Sequence, residues 1–216
     1  LADDRRGLDR GRRLRRVDDR LGVDLLTLTA HKLYGPRGAG ALYIRTGTPL
    51  QPQIIGGGQE RERRSGTHNT AGIVAAAVAL ELTDSERTAE IARVSVLRDR
   101  LVDGLQASLN GVHETLSRAD KVAGSAHVCI EGIESESVLY LLDESDVCAS
   151  AASACASGAM EPSHVLAAMG VPNERALGAL RLTLGHTTTE ADVERGIKVV
   201  VAAVDRLRQR SAQVAS

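Results

Sequence analysis

Short aliphatic runs alternate with longer amphipathic segments along this chain, and that alternation limits the fold more than any other sequence feature. Residues 23–29 and 41–45 are short and rich in aliphatic side chains, with a Gly- and Pro-rich turn at residues 35–40 between them. They predict two strands, the first of them buried. Residues 90–109 place apolar side chains at three- and four-residue steps, which predicts an amphipathic helix. The pattern as a whole predicts an α/β fold.

Beyond about residue 70 the pattern predicts a smaller α+β domain. Its last helix carries an apolar stripe, and Thr187 and Glu190 lie at capping-box spacing before that stripe. We therefore expect the end of one α/β layer structure, followed by this second domain. The other predicted elements are a buried helix at 71–82, strands at 127–130 and 181–184, and helices at 136–142 and 162–169.

The first twenty residues differ from the rest of the chain. They hold eight Arg and five Asp, with few apolar side chains and no periodicity. A segment of this composition cannot bury a core. We expect residues 1–20 to be disordered or to be translated in the wrong frame.

Composition excludes several classes of protein. Lys and Arg number 27 against 28 Asp and Glu, and Phe and Trp are absent, so neither a basic nucleic-acid surface nor a base-stacking platform is expected. The longest uncharged apolar run, residues 71–80, is too short to cross a bilayer. Three cysteines, with no Cys-x-x-Cys or His-x-x-x-His pair, predict neither a disulfide scaffold nor a metal site and favour a cytoplasmic location.

Lys32 is the first candidate for chemistry. It follows the first predicted strand and precedes the Gly- and Pro-rich turn, so we expect its amine to be partly desolvated. Desolvation lowers the pKa of a lysine, and a neutral amine can form a Schiff base. The alternative is an ordinary surface lysine at the end of a strand.

Two further segments could carry chemistry. Residues 56–69 combine three successive Gly with Arg, Ser and Thr, which suits either a phosphate site or a solvated loop. Residues 150–158, around Cys155, are all small; this is typical of a mobile loop with an accessible thiol, although a structural cysteine in an Ala-rich helix gives the same pattern. Cys129 lies in a predicted strand and is expected to be buried, whereas Cys148 fits either environment.

Taken in order, these segments resemble the cysteine desulfurases, which are pyridoxal-phosphate (PLP) enzymes of fold type I in the class V aminotransferase family. The resemblance covers roughly residues 21–210 and rests on six motifs. They are His31-Lys32-x-Tyr-Gly-Pro-x-Gly38, Gly56-Gly-Gly-Gln-Glu60, Arg64-Ser-Gly-Thr67-x-Asn69, Ser153-Ala-Cys155-x-Ser-Gly158, Glu161-Pro-Ser-His-Val165 and Arg181-x-Thr-Leu-Gly185.

The resemblance implies a role for each matching residue. Lys32 would hold PLP as a Schiff base, and Arg181 would bind the substrate carboxylate. Cys155 would attack the sulfur of L-cysteine, keep it as a persulfide and leave alanine. Further cofactor contacts are implied for Thr29 and His31, and for Thr67, which matches a residue that reaches the PLP phosphate of the neighbouring subunit, so a homodimer is implied.

The resemblance also implies the domain layout and the partners. Residues 21–75 would be the C-terminal part of the large domain of a PLP-dependent transferase, and residues 76–216 the linking helices and the small α+β C-terminal domain. The persulfide would pass to a sulfur acceptor such as an iron–sulfur scaffold or a tRNA thiolase.

The match departs from the family before Lys32. Family members carry there a phosphate-binding turn, a stacking His, an Asp for the pyridinium nitrogen and a Gln for the ring oxygen, whereas 31 residues precede Lys32 here and no Gln occurs before Gln51. We therefore expect a truncated gene whose product alone is a poor or inactive enzyme. The alternatives are a catalytically defective fragment that only binds or dimerises, a selenocysteine lyase, and a sulfur donor for phosphorothioate DNA.

Overall fold

The structure, a computed structural model, describes residues 21–151 and 163–214. Two compact units make up the chain, the first ending at Glu86 and the second beginning at Arg87. None of the helices in the described ranges has the length and hydropathy that crossing a membrane would require.

The first unit contains a two-stranded antiparallel sheet. β1 (Leu25–Thr29) pairs with β2 (Gly40–Ile44), which confirms both predicted strands. The prediction that the first strand is buried is wrong for this unit, where Leu25 is 44% exposed. A sheet of two strands, with no third strand pairing in the described part of the unit, has too little surface to build a core.

α1 (Thr70–Ser108) is one continuous helix of 39 residues, where the sequence pattern predicts two. The residue before it, Asn69, is its N-cap: the Asn69 Oδ1 accepts a hydrogen bond of 3.0 Å from the backbone N–H of Gly72. Residues 83–89 contain neither Gly nor Pro, so nothing ends the first predicted helix before the second begins.

The first half of α1 is helical as predicted, but it is not buried within the first unit. The structure shows it in contact with the turn that follows β1, through Ala79 and Thr83. These contacts involve one narrow side of the helix and do not cover its larger aliphatic side chains. The exposed ones are Ile73, Val74, Val78, Leu80 and Leu82.

The second unit is built on an antiparallel sheet with the strand order β3 (Val112–Glu114), β4 (Ser125–Ile130) and β5 (Ala179–Thr183). β4 and β5 confirm the two strands predicted in this part of the chain. β3 is missed by the sequence pattern, because three residues are too few to show a period of two.

Helices cover one face of this sheet. α2 (Ser135–Asp143) and α5 (Glu190–Val214) pack there with the second half of α1. The core between them is aliphatic throughout, so many small side chains fill the space that rings would take. The most buried are Val102 and Leu105 from α1, Val128 and Ile130 from β4, Leu180 from β5, Val138 and Leu142 from α2, and Val200 and Val204 from α5.

Two short helices form a second, smaller cluster on the opposite face. α3 (His164–Ala168) confirms the helix predicted at 162–169, and α4 (Asn173–Ala176) is a single turn that the pattern misses. The alternation of side chains along a strand places neighbouring residues of β4 on opposite faces. The small cluster consists of Cys129, Leu166, Ala176 and Ala179.

The last helix begins later than its predicted capping box. α5 starts at Glu190, so the box predicted from Thr187 and Glu190 is wrong. The cap is Thr189, whose backbone N–H donates to Asp192 Oδ2 at 2.8 Å and whose Oγ1 accepts from the Asp192 N–H at 3.2 Å. Both pairs have the same three-residue spacing, and the sequence pattern does not choose between them.

Candidate active site

Lys32 lies on a tight turn between β1 and β2. The turn starts with a single-turn 3₁₀ helix at Ala30–Leu33. The backbone N–H of Ala30 donates to the Ala39 carbonyl at 3.0 Å, and that of Gly35 donates to the Ala30 carbonyl at 2.9 Å. These two bonds close the turn at its base and fix where Lys32 leaves the sheet.

Gly35 seats this turn against the first half of α1. A Cβ at Gly35 would lie 3.0 Å from the Ala30 carbonyl oxygen and 3.0 Å from Ala79 Cβ, which is closer than a side chain tolerates without movement of its neighbours. One turn further along the helix, the Thr83 hydroxyl donates to the Leu33 carbonyl at 3.5 Å. Small residues on both sides therefore let the backbone of the turn approach the helix.

The structure brings three of the predicted cofactor-binding residues together on this turn. Thr29 ends β1 and is half-buried, and His31 and Lys32 follow it as exposed residues of the 3₁₀ helix. Lys32 is exposed within the first unit, so the predicted desolvation of its amine is not found there. The buried residue of this 3₁₀ helix is Ala30.

Thr67 lies on a different loop, the Gly-rich segment of the first unit. Ser65 is buried there, and its hydroxyl donates to the Gly57 carbonyl at 2.6 Å. The Arg64 guanidinium donates to the carbonyls of Gly66 and Thr67 at 3.4 and 3.2 Å. The side chains of Ser65 and Arg64 therefore stabilise the loop through hydrogen bonds within it. Thr67 is exposed, so its hydroxyl is the candidate for binding a phosphate.

Arg181 lies at the middle of β5 in the second unit. Its cross-strand partner on β4 is His127, and directly paired residues of an antiparallel sheet project from the same face. On its other side Arg181 pairs with Ser150: the Arg181 N–H donates to the Ser150 carbonyl at 2.7 Å, and the Ser150 N–H donates back at 3.1 Å. The start of the predicted Cys155 loop is thereby attached beside Arg181.

His127 has a fixed and half-buried position. Its Nδ1 lies 2.6 Å from Thr115 Oγ1. Burial lowers the pKa of His127, and the positive charges of Arg181 and Lys121 lower it further. The imidazole is therefore neutral at neutral pH. A polar residue inside an otherwise apolar strand is the one sequence signal that points to it.

We expect the free energy of unfolding to fall as the pH is lowered from 7 to 5, and to fall less in His127→Gln. The folded pKa of His127 lies below its ordinary 6.5, so below about pH 7 the unfolded chain binds more protons than the folded one, and protons favour unfolding. One such histidine changes the stability by at most about 1.4 kcal/mol per pH unit.

Urea unfolding at several pH values measures this slope. Carboxylates with a lowered pKa, such as Asp103, lose their contribution to stability below about pH 5, at the lower edge of this window. The matched control is His164→Gln, at the exposed first residue of α3, which should keep the slope of the unchanged protein. Equal slopes in His127→Gln and the unchanged protein would contradict the prediction.

The three cysteines differ in their surroundings. Cys129 is buried, as predicted, and burial raises the pKa of its thiol against the smaller opposing effects of the Thr115 hydroxyl and the Arg175 charge. Cys148 is exposed. Cys155 lies outside the described residues.

The predicted site residues therefore fall into two groups in the structure. Thr29, His31 and Lys32 share one turn of the first unit, with Thr67 on another loop of that unit, and Arg181 belongs to the sheet of the second unit. Within residues 21–151 and 163–214, no cluster of three or more His, Cys, Asp or Glu side chains could hold a metal ion.

Comparison with known proteins places this arrangement in a family. The family model for aminotransferase class-V matches residues 16–195. A cysteine desulfurase from Gluconacetobacter diazotrophicus is 43% identical over 189 residues, which are 88% of this chain and 47% of that protein. The chain thus spans about half the length of the curated relatives it matches.

Solved structures agree with this mixed α/β fold. A NifS-like protein superposes with a TM-score of 0.75 at 34% identity, over 85% of this chain and 47% of its own. SspA, whose structure is described as a complex with cysteine, superposes with a TM-score of 0.53 at 29% identity, over 77% of this chain and 45% of its own. The chain belongs to the aminotransferase class-V family and is a homologue of cysteine desulfurases.

Proposed function

We propose that the protein is a PLP-dependent cysteine desulfurase, which moves the sulfur of L-cysteine onto its own Cys155 and leaves alanine. The observation that carries the proposal is the Lys32 turn, held between β1 and α1 in a chain 43% identical to a cysteine desulfurase. In this proposal residues 21–75 complete the large PLP-binding domain, and residues 76–216 form the linking helices and the small C-terminal domain.

The side chains of the first unit fit PLP by their chemistry. The primary amine of Lys32 suits an aldehyde, and the hydroxyls of Thr29 and Thr67 with the imidazole of His31 suit a phosphate. PLP, when bound, supplies an electron sink. Lys32 would hold the cofactor and, once displaced by the substrate amine, carry a proton at Nζ. Thr67 would act across a homodimer.

Arg181 would bind the substrate carboxylate. A guanidinium offers two parallel N–H donors to a carboxylate, and this geometry also fixes the orientation of the substrate. The half-buried position of Arg181 in the middle of a strand restricts its backbone, so the donors are presented from a rigid element. The cysteine in the SspA structure supports L-cysteine as the substrate class.

The sulfur step would belong to Cys155. Its thiolate forms an S–S bond to the substrate sulfur while the C–S bond of the substrate breaks, and the electron pair left on carbon takes up a proton to give alanine. Cys155 is left as a persulfide, which an acceptor such as an iron–sulfur scaffold or a tRNA thiolase would then receive. No oxidant or reductant is needed for this transfer.

The test is a product assay with the complete protein that carries these residues. Purified protein with PLP, L-cysteine and a reducing thiol should release sulfide and alanine in equal amounts. A catalysed rate at the background level of PLP alone would refute the proposal. Because the curated relatives are about twice as long as this chain, the assay must use the protein as its own gene encodes it.

A further inference from the structure

One face of the second unit's sheet carries a guanidinium and a neutral imidazole side by side, and neither has an acidic partner among the described residues. His127 and Arg181 are directly opposed on β4 and β5, so both side chains leave the sheet on the same face. The next pair along the two strands, Val128 and Leu180, belongs to the core on the other face. Arg181 makes no ion pair with any residue in the described ranges.

The other charged group near His127 is already neutralised. Lys121 has its ammonium 2.6 Å from Glu114 Oε1 and its side chain is 5% exposed. It adds to the positive potential at His127, but its own hydrogen-bonding partner is fixed. An anion arriving on this face would therefore meet Arg181 and His127.

Thr115 fixes which nitrogen of His127 is free. Its hydroxyl is 2.6 Å from Nδ1, and its backbone N–H donates to the His127 carbonyl at 3.2 Å. An anion on this face selects the tautomer in which the hydroxyl donates to Nδ1 and the proton of the neutral ring is on Nε2. The ring then presents an N–H donor on the face that Arg181 shares. Without an anion, Nδ1–H can instead donate to the hydroxyl, which in turn donates to the His127 carbonyl at 3.3 Å.

We propose that His127 is a second side chain that binds the substrate carboxylate, through Nε2–H, beside the guanidinium of Arg181. This inference rests on the proposed function and extends it. Two donors from neighbouring strands would grip the carboxylate at a fixed angle, so amines and thiols that lack a carboxylate would be rejected. His127 is thus a specificity-determining residue.

The first experiment detects the carboxylate without turnover. Propionate, which has no amine or thiol, is titrated into the complete protein with labelled histidine, and the ring signals are followed by NMR. We expect a saturable shift of the His127 signal with propionate and none with propionamide, its neutral isostere. The signal of His113, on the same face but paired with Glu131 at 2.7 Å, serves as the internal control and should stay constant.

The second experiment uses variants. His127→Leu should weaken propionate binding and raise the KM for L-cysteine by about tenfold, the usual effect of losing one hydrogen bond to a charged group, with kcat within about twofold. His127→Gln keeps an N–H donor and should recover most of the affinity. His113→Leu should leave both values unchanged.

The outcomes separate this inference from the proposed function. A His127 shift with propionate but no sulfide release would support the carboxylate site and refute the desulfurase proposal. Sulfide release with an unmoved His127 signal and an unchanged KM in His127→Leu would do the opposite. Should His127→Leu fail to fold, the propionate titration of the unchanged protein still decides, since an unmoved His127 signal there overturns the inference.

Discussion

Replacing Lys32 by alanine is expected to abolish covalent attachment of PLP and to lower sulfide release roughly a thousandfold or more. Nζ is proposed to hold the cofactor and to carry the proton between reaction steps. A methyl group can do neither. Because Lys32 is exposed on a turn whose backbone is held by Ala30 and Gly35, the substitution should leave the fold intact.

Few amines within this chain compete with Lys32. The chain has three lysines, Lys32, Lys121 and Lys198. Borohydride reduction of the PLP-bound protein, followed by digestion and mass spectrometry, should place the reduced cofactor on the Lys32 peptide. Lys121 is buried against Glu114, and Lys198 is exposed on α5. Both lie far from Lys32 in the sequence, so a label on either would appear on a different peptide.

Two variants complete the test. Lys32→Arg keeps a positive charge on the turn but cannot form the covalent link, so it should be as inactive as Lys32→Ala. Lys198→Ala removes an exposed lysine of the second unit and should retain full activity. Labelling of Lys198 in the unchanged protein, or activity that survives in Lys32→Ala, would show that the assignment is wrong.

The sequence predicts the Lys32 turn well because its signals are local. Two aliphatic runs flank a segment with Gly and Pro, and such a segment closes a turn whatever the rest of the fold does. The close approach of Gly35 to Ala79 is a contact between distant segments. It leaves no periodic signal, so it emerges only from the structure.

Burial is where the sequence fails in the first unit. An apolar pattern shows which side of an element avoids water, but it does not say which segment covers that side. The aliphatic face of α1 before residue 83 is exposed among the described residues, and the side chains of β1 are exposed or half-buried, although both patterns predict burial. The resemblance to a longer family, read from the motifs, is the better guide here.

The pairing of His127 with Arg181 could not be predicted for a different reason. Both residues lie in strands that the sequence predicts, yet which residues face each other depends on the register between β4 and β5. A shift of one residue would turn His127 to the opposite face from Arg181. Register is set by the whole sheet, so a single strand's sequence does not contain it.

Cys155→Ser should abolish persulfide formation and lower sulfide release by roughly a thousandfold or more, because a serine hydroxyl cannot take up sulfur as a persulfide. The chain has three cysteines, and the structure removes one from consideration. Cys129 is buried between β4 and the short helices, and burial raises the pKa of its thiol. It is neither accessible nor present as a thiolate at neutral pH.

Among the cysteines of this chain, the choice therefore lies between Cys148 and Cys155. Cys148 is exposed and lines a cavity of about 210 Å³ near the start of α5, so exposure alone does not exclude it. The six motifs that identify the family include Cys155 and not Cys148. The attachment of Ser150 to Arg181 also places the start of the Cys155 segment next to the proposed carboxylate site.

Mass spectrometry after brief exposure to L-cysteine and alkylation decides between the two thiols. We expect one extra sulfur on the Cys155 peptide, none on the Cys148 peptide, and full sulfide release from Cys148→Ser, which is the matched control. If the extra sulfur is found on Cys148 and Cys148→Ser is inactive, the nucleophile is Cys148, which precedes the small-residue segment in the sequence. The family motif would then have misidentified the nucleophile, although the Lys32 and Arg181 assignments would stand.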